Sequence, residues 1–181
     1  MKDFSDSQIF ELYQTDKEKA FNILVRKYQE KLYWHIRKIV ITHDNADDVL
    51  QNTFMKAWRG LEKFNNNSML YTWLYRIATN EALTFIKKDK SRQNISYSNT
   101  DENNVINLLE DDVYFEGSEF EKKFQLALSK LPEKQRLVFN MKYFDEMKYE
   151  QISEVLETSV GGLKASYHHA VNKIKEFLKE D

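Results

Sequence analysis

The chain has 181 residues, a formal net charge of −2 at neutral pH, four glycines, one proline and no cysteine. So few helix-breaking residues, in a chain rich in Lys, Glu, Leu and Ala, predict an all-α protein of one ordinary domain or two small ones. The composition excludes a disulfide framework and a cysteine-based zinc site, and we expect no metal and no cofactor, because the histidines lack a ligand spacing and no phosphate-cradling glycine loop is present.

The segment before residue 93 predicts three or four helices. A weakly marked helix near 7–13 precedes a long one, which Thr15 and Glu18 are expected to open with a capping box. Apolar residues at helical spacing give the long helix a stripe that we expect in the core. The stripe consists of Phe21, Leu24, Tyr28, Leu32, Ile36 and Ile39.

The third predicted helix, from 44 to 61, has two chemically different faces. The face expected to be buried holds Ala46, Leu50, Thr53, Phe54, Ala57 and Leu61. A neighbouring stripe consists of Asp48, Gln51, Asn52, Met55 and Arg59, with Asp47 at its edge. An exposed methionine among polar groups indicates a protein contact. A solvated helix face with acids in its first turn is the alternative interpretation.

The fourth predicted helix, from 69 to 90, follows a polar loop at 64–68 and is apolar around most of its circumference. Along one edge, Arg76, Asn80 and Lys87 lie within about 40° of one another beside Trp73. This edge is suited to receive a nucleic acid strand. A basic cluster, KKDKSR at 87–92, extends it.

Helical periodicity fades between residues 93 and 117, which we interpret as a linker between two domains, 1–92 and 118–181. Structureless connections of more than about 15 residues are uncommon inside a compact domain. The stretch from 99 to 121 contains no basic residue and eight acids, Asp101, Glu102, Glu110, Asp111, Asp112, Glu116, Glu119 and Glu121. Because the whole chain carries only −2, the remainder is net basic, as expected for a protein that binds DNA.

Two helices are predicted directly after the acidic linker. Ser118 and Glu121 form a second potential capping box, and the helix they open has an apolar stripe of Phe120, Phe124, Ala127, Leu128 and Leu131. Pro132 is expected at the first position of the next helix, where its missing N–H is tolerated. That helix carries Leu137, Val138, Met141 and Phe144.

The C-terminal segment predicts a helix-turn-helix. A short helix at 149–156 is separated by three residues from a second helix that Ser159 is expected to cap. The second helix should bury Leu163, Tyr167, Ala170, Ile174 and Phe177, with Val171 and Leu178 at the border. Its opposite face carries Lys164, Ala165, His168, His169, Asn172 and Lys175. An ordinary helical hairpin is the alternative, since Glu157 occupies a turn that often contains glycine.

Sequence features of other protein classes are missing. No run of about 18 apolar residues is present, and residues 1–6 contain no hydrophobic region of a signal peptide, so we expect a cytoplasmic protein. We find no nucleophile elbow and no pair of carboxylates in a catalytic arrangement. The chain is therefore not expected to be an enzyme.

Together, these motifs resemble those of the bacterial sigma factors of the extracytoplasmic-function (ECF) group, the compact two-domain members of the primary sigma family. The run DNADDVLQNTFMKAW at 44–58 looks like the polymerase-binding helix of that family. The runs YTWLYRIATNEA at 71–82 and LPEKQR at 131–136, and then the helix-turn-helix, follow in the order of the family. The resemblance covers nearly the whole chain.

The resemblance implies a function and partners. In that family the N-terminal domain binds the coiled-coil clamp of the largest polymerase subunit and the minus-10 promoter element, and the C-terminal domain reads the minus-35 element. The expected activity is that of a dissociable factor, without a catalytic site, which gives core RNA polymerase its promoter specificity and helps to open the duplex. The expected partners are core RNA polymerase and promoter DNA, and an anti-sigma factor is common in the family.

The resemblance also assigns site residues. The residues expected to face the clamp are Asp47, Asp48, Gln51 and Asn52, with Met55 added from the helical projection. For the minus-10 element, the resemblance implies a pocket for a flipped base, made by Phe64, Asn65, Asn66, Asn67, Ser68, Arg76 and Asn80. Trp73 lies beside this pocket. Lys56, Lys87 and Lys88 are expected to contact phosphates. We expect Trp58 and Trp73 to be core residues rather than wedges that melt DNA.

The minus-35 element is assigned to the second helix of the helix-turn-helix. The residues concerned are Gly161, Gly162, Lys164, Ala165, His168, His169 and Asn172. The two glycines leave the first turn without side chains, so its N–H groups can approach a phosphate. Some members of the family carry arginines at several of the positions that Lys164, Ala165, His168 and His169 occupy here. Histidine lacks the bidentate fork of arginine, so direct readout should be weaker here.

Two rival functions remain at this point. A stand-alone helix-turn-helix regulator predicts a dimer and a two-fold operator, but the sequence shows no obvious dimerisation surface. A helical adaptor predicts that the basic surfaces bind an acidic protein. The hypothesis of a stand-alone regulator does not explain the acidic face of the third helix or the asparagine loop.

Overall fold

The computed structural model describes residues 4–64, 69–93 and 118–179, and every regular element in these ranges is a helix, which confirms the all-α prediction. The helices are α1 (Asp6–Thr15), α2 (Lys17–Val40), α3 (His43–Gly60), α4 (Leu70–Gln93), α5 (Glu119–Ser129), α6 (Glu133–Tyr143), α7 (Tyr149–Leu156) and α8 (Val160–Lys179), with a 3₁₀ turn, Leu61–Lys63, after α3. The predicted asparagine loop at 65–68 and the linker residues 94–117 lie outside the described residues.

The capping box predicted for Thr15 and Glu18 is wrong. Asp16 is the N-cap of α2, and its carboxylate accepts a hydrogen bond from the Lys19 N–H at 3.0 Å. Thr15 is the last residue of α1, and its hydroxyl donates to the Leu12 carbonyl at 3.1 Å. An aspartate one residue later offers a charged acceptor to the same first turn, so the start of α2 moves with it.

The N-terminal helix group, α1–α4, is organised around α2, which contacts the other three helices. The predicted stripe of α2 is buried from Leu24 onwards, whereas Phe21 is only half-buried. On α3, Leu50 and Phe54 are also half-buried and lie at the border of the inward face. The residues that α3 does bury are Ala46, Val49, Thr53 and Ala57, of which the sequence prediction omitted Val49.

The C-terminal helix group, α5–α8, begins with the predicted capping box, in which the Glu121 N–H donates to Ser118 Oγ at 3.3 Å. Its own small core consists of Ala127, Leu128, Leu131, Phe139, Ala170 and Ile174. Phe120 was wrongly predicted for this core: it is 64% exposed, because the first turn of α5 adds nothing to that cluster. Pro132 is the N-cap of α6 rather than its first residue, and its carbonyl accepts from the Arg136 N–H at 3.0 Å.

The helices α7 and α8 form the predicted helix-turn-helix. Glu157 follows α7 with φ 50° and ψ 43°, the left-handed conformation that glycine adopts without strain. Its N–H donates to the Ser153 carbonyl, as a glycine at this position would. Ser159 then caps α8 as predicted, since the Gly162 N–H donates to Ser159 Oγ at 3.3 Å. The turn thus has a glycine-like backbone without a glycine.

The two helix groups pack directly on each other. The helix α4 lies against α7, and α2 contacts α6. We call this contact the seam, and the resulting packing the closed arrangement. Side chains of the C-terminal group that join the core of the N-terminal group are Leu137, Val138, Met141, Met147, Ile152, Val155 and Leu163. The core of the N-terminal group therefore extends into the C-terminal group, which keeps its separate small core beside it.

Candidate functional site

One face of α3 is exposed along the helix. Small side chains, Ala46 and Ala57 among them, face α2 and α4, so the opposite face is left to solvent. All five residues expected to face the clamp are exposed, namely Asp47, Asp48, Gln51, Asn52 and Met55. The face combines two carboxylates and two amides with a methionine that is 48% exposed. This chemistry suits a basic partner surface that also has an apolar spot.

An apolar groove lies beside this face. It is a cavity of about 410 Å³ lined by Phe21, Gln51, Phe54, Met55, Trp58 and Arg59. The prediction that Trp58 is a core residue is wrong: it is 40% exposed, and its indole meets the Phe21 ring edge-on with centroids 5.0 Å apart. Sequence reasoning missed this groove. The available signal was spacing, because Trp58 follows Met55 by three residues and so continues the exposed stripe.

The residues of α4 that were assigned to the minus-10 element form an exposed edge, made by Arg76, Asn80, Lys87 and Lys88. Trp73 is half-buried, and its ring packs on Phe64 with centroids 5.0 Å apart. Phe64 in turn stacks on Phe10 at 5.1 Å. These three rings fix the point from which the loop at 65–68 departs. Asn65, Asn66, Asn67 and Ser68 themselves lie outside the described residues.

Two of the basic residues assigned to DNA are already paired with acids. Lys56 of α3 forms an ion pair with Glu81 of α4. The Arg76 guanidinium donates to the carboxylate of Glu157, which lies in the turn of the helix-turn-helix. Exposed pairs of this kind contribute only about 0–1 kcal/mol, so DNA phosphates can replace the acids at little cost. In the closed arrangement the α4 edge therefore meets the turn between α7 and α8.

The outer face of α8 presents the residues assigned to the minus-35 element. Lys164, Ala165, His168, His169 and Asn172 are exposed, whereas Leu163, Ala170 and Ile174 are buried. Asn172 and His168 share a hydrogen bond of 3.0 Å between Nδ2 and Nε2. The Lys164 ammonium lies 5.8 Å from the centroid of the Tyr149 ring, a cation–π distance that orients the lysine along the turn.

The two glycines of α8 differ in the space around them. A Cβ on Gly161 would meet nothing within 4 Å, whereas one on Gly162 would lie 3.2 Å from Ser159 Oγ. We expect Gly161→Ala to raise the free energy of unfolding by up to about 1 kcal/mol through helix propensity. Gly162→Ala should be less favourable than this by about 1 kcal/mol, because it displaces the capping hydroxyl. Denaturant unfolding of both variants measures the difference in the free energy of unfolding. Equal effects would contradict the capping role of the Ser159 hydroxyl.

The fold and these surfaces define a class of protein. It is a helical protein with a C-terminal helix-turn-helix, in which an acidic face and two polar or basic faces lie on separate helices. Within residues 4–64, 69–93 and 118–179, no helix is long and apolar enough to cross a membrane. The same ranges contain no group of three or more acidic or histidine side chains that would hold a metal ion.

Known proteins share both the sequence motifs and their order. Residues 24–92 match the Sigma-70 region 2 family, and residues 121–174 match the family Sigma-70, region 4. The RNA polymerase sigma-H factor of Pseudomonas aeruginosa is 30% identical in an alignment that covers 96% of this chain and 94% of that protein. The ECF RNA polymerase sigma-E factor of Haemophilus influenzae is 29% identical, with 97% and 96% covered.

Two solved structures share the fold. One is the sigma factor RpoE in complex with the anti-sigma factor NepR from Bartonella quintana, with a TM-score of 0.69, 24% identity and coverage of 90% of this chain and 99% of that one. The other is CnrH in complex with the cytosolic domain of CnrY, with a TM-score of 0.70, 21% identity and 96% of each chain covered. The chain therefore belongs to the sigma-70 family of RNA polymerase sigma factors, in the ECF group.

Proposed function

We propose that this sigma factor divides promoter recognition between its two helix groups. Residues 1–92 bind core polymerase and the minus-10 element, residues 118–181 bind the minus-35 element, and 93–117 connect them. The factor contributes specificity and DNA opening, while the polymerase, in the cytoplasm, performs the chemistry. The observation that carries this proposal is the exposed face of α3, on which Asp47, Asp48, Gln51, Asn52 and Met55 stand together beside an apolar groove.

Polymerase binding is assigned to that face of α3. Asp47 and Asp48 pair with basic side chains of the clamp, and Gln51 and Asn52 add hydrogen bonds. Met55 and the groove beside it supply an apolar centre. In protein interfaces of this kind the charges set orientation and association rate, and the desolvated apolar centre supplies most of the affinity.

Recognition of the minus-10 element is assigned to the α4 edge and the loop at 64–68. Arg76, Lys87 and Lys88 contact phosphates, as does Lys56 when it leaves Glu81, and the amides of Asn80 and the loop bond to base edges. Unstacking one base costs a few kcal/mol, and stacking on an aromatic ring such as that of Trp73 returns about 1–3 kcal/mol. The exposure of the α4 edge supports this assignment.

Recognition of the minus-35 element is assigned to α8. Gly161 and Gly162 lie at the positive end of the helix, where the Gly161 N–H faces a phosphate while the Gly162 N–H is bonded to Ser159 Oγ. Lys164, Ala165, His168, His169 and Asn172 face the major groove. Because histidine cannot make the bidentate contact of arginine to guanine, the shape of the groove contributes a larger share of the specificity.

An anti-sigma factor is a further proposed partner. Both structural neighbours were solved in complex with a second protein, the anti-sigma factor NepR in one case and the cytosolic domain of CnrY in the other. This supports the proposal that a protein of the same kind binds here. The apolar groove on α3 and the seam are the surfaces to examine for it.

The test of this function is binding of the labelled full chain to core bacterial RNA polymerase without DNA. We expect a complex of one chain per polymerase with a nanomolar Kd, and a monomer when the chain is alone. No binding at micromolar concentration would contradict the proposal. A chain that instead forms dimers and binds palindromic DNA without polymerase would be the stand-alone regulator.

A further inference from the structure

The turn between α7 and α8 contains a residue in a strained conformation. Glu157 has φ 50° and ψ 43°, a left-handed conformation in which a Cβ lies close to the following carbonyl oxygen, so that glycine alone adopts it freely. Hydrogen bonds fix the backbone of this turn. The Glu157 N–H donates to the Ser153 carbonyl, and Ser153 Oγ donates to the Thr158 carbonyl at 2.7 Å. The turn therefore imposes the strained conformation on Glu157.

The side chain of Glu157 contacts the N-terminal helix group rather than the turn. It is 70% exposed, and its one ion pair within the described residues is with Arg76 of α4, across the seam. A glycine would keep the backbone hydrogen bonds of the turn without strain. A left-handed residue other than glycine costs more free energy than an exposed ion pair returns. Stability alone thus favours glycine here, and strained residues of this kind occur chiefly at functional sites.

The ion pair joins two surfaces that we assign to DNA. Arg76 lies on the α4 edge assigned to the minus-10 element, and Glu157 lies in the turn that leads into α8, assigned to the minus-35 element. A guanidinium binds a carboxylate and a phosphate through the same N–H donors. In the closed arrangement, Glu157 therefore occupies donors that Arg76 would otherwise offer to a DNA phosphate.

The helix before the turn, α7, is held against the N-terminal group at both ends. On its N-terminal side, Asp145 Oδ2 lies 2.7 Å from His35 Nδ1, and Asp145 Oδ1 lies 2.8 Å from Lys38 Nζ. Burial alone would raise the pKa of Asp145, but these contacts hold it below its usual range, so the carboxylate is ionised. Asp145 is 4% exposed, against 70% for Glu157. The pair at the C-terminal side is therefore much more accessible to a competing anion.

We propose that Glu157 takes the place of a DNA phosphate in the free protein, where its carboxylate holds Arg76 on the helix-turn-helix until DNA displaces it. The displacement by DNA rests on the proposed function, whereas the effect on the seam does not. Removing the carboxylate should make the seam open more readily and leave Arg76 available to DNA without competition. Because the pair is exposed, each effect is at most about fivefold, and it weakens as salt screens the charges.

A thiol probe measures opening of the seam, because the natural chain contains no cysteine. Thr72 of α4 is 2% exposed, and it lies one turn from both Met69 and Arg76, which contact the C-terminal group. The rate at which Thr72→Cys in the full chain reacts with a disulfide reagent therefore reports opening. Thr53→Cys is the matched control, because Thr53 is fully buried on α3, outside the seam. The ratio of the two rates separates opening of the seam from unfolding of the N-terminal group.

Glu157→Gln removes the charge and keeps the size of the side chain. At low ionic strength we expect it to raise the rate ratio about threefold, within the range that an exposed ion pair provides. Arg76→Gln should raise the ratio equally, and the two substitutions together should add nothing further, because both remove the same contact. Glu154→Gln is the control, because Glu154 is also exposed, on α7, and has no ion pair within the described residues.

Two results would overturn the proposal: an unchanged ratio with Glu157→Gln, or an equal rise with Glu154→Gln. Glu157→Gly removes the carboxylate and the strain together. It should raise the ratio as Glu157→Gln does, yet unfold at a higher denaturant concentration than Glu157→Gln, because glycine adopts the left-handed conformation freely. A lower unfolding midpoint for the glycine variant would overturn the argument from strain.

Binding of a labelled single-stranded DNA by the full chain tests the competition for Arg76. Glu157→Gln should bind this DNA about threefold more tightly than the unsubstituted chain, because Arg76 is then free to contact phosphates. In the Arg76→Gln background, the same substitution should gain no more than Glu154→Gln does. An equal gain in both backgrounds would overturn the competition. The polymerase titration uses none of these variants, so failure of this inference and failure of the sigma-factor proposal remain distinguishable.

Discussion

Asp48→Arg should weaken binding of the chain to core RNA polymerase about a hundredfold, a loss of about 2.7 kcal/mol. Asp48 is exposed on α3, so its replacement leaves the core intact. The substitution removes one charge-assisted hydrogen bond and sets a cation against the basic clamp surface, and losses of 2–5 kcal/mol are usual, roughly, for such interface pairs. Titration of labelled chain with core polymerase at constant ionic strength measures the change.

The matched control for this prediction is Glu11→Arg. Glu11 is also an exposed helical acid, but it lies on α1, away from the α3 face. It undergoes the same change of two charge units, so any effect of net charge alone is equal in both variants. An equal loss of binding in both would show non-specific attraction. Unchanged binding by Asp48→Arg would contradict the assignment of α3 to the clamp.

The faces of α3 and α8 were predictable because both helices are long and one-sided. With apolar residues at a period of 3.6, the sequence alone separates a buried side from an exposed one. All residues predicted for the outer side of α8, and the five predicted for the clamp, are exposed in the structure. What these exposed residues bind is not contained in the periodicity. That assignment came from the resemblance and remains a proposal.

The wrong predictions concern local features that more than one residue type can provide. Asp16 took the cap that was predicted for Thr15, since both residue types can accept the same N–H. Glu157 adopts a left-handed conformation that sequence reasoning reserved for glycine. Trp58 lines the open groove on α3 and is therefore exposed, although a tryptophan in a helical stripe is usually a core residue.

The seam could not be predicted from the sequence at all. His35 and Asp145 are 110 residues apart, and nothing in the local pattern around either one indicates the other. The same holds for Arg76 and Glu157, which are 81 residues apart. Contacts of this kind depend on how two finished helix groups meet, and local propensity carries no information about that step.

The seam also suggests an order of events within the proposed function. The α3 residues that we propose bind the clamp are exposed in the closed arrangement, whereas Arg76 on α4 is held by Glu157. Polymerase can therefore bind while the seam is closed, whereas we expect the seam to open before the α4 edge and α8 bind DNA together. Opening exposes apolar side chains such as Met147 and Ile152, which are 1% and 0% exposed when closed. Polymerase contacts must offset that exposure, so tight promoter binding is expected only in the holoenzyme.

Lys164→Glu is expected to lower open-complex formation on a minus-35-dependent promoter about a hundredfold. Lys164 is exposed in the first turns of α8. It lies beside the helix N-terminus that we propose faces the phosphates. The substitution removes one contact worth about 1–3 kcal/mol and adds a negative charge that DNA repels. The slope of the logarithm of the binding constant against the logarithm of salt concentration should also become shallower by about one, because one fewer counterion is released. The assay uses reconstituted holoenzyme and a promoter selected with the unsubstituted protein.

Lys173→Glu separates this effect from a loss of net charge. Nine residues at 100° each place Lys173 about 180° from Lys164 on the same helix, and it is equally exposed. We expect it to retain nearly all open-complex formation, because its side of α8 does not face the groove. Scrambling the minus-35 element should reduce initiation by the unsubstituted holoenzyme and change little with Lys164→Glu. Equal defects in both lysine variants would show that α8 attracts DNA without a defined reading face.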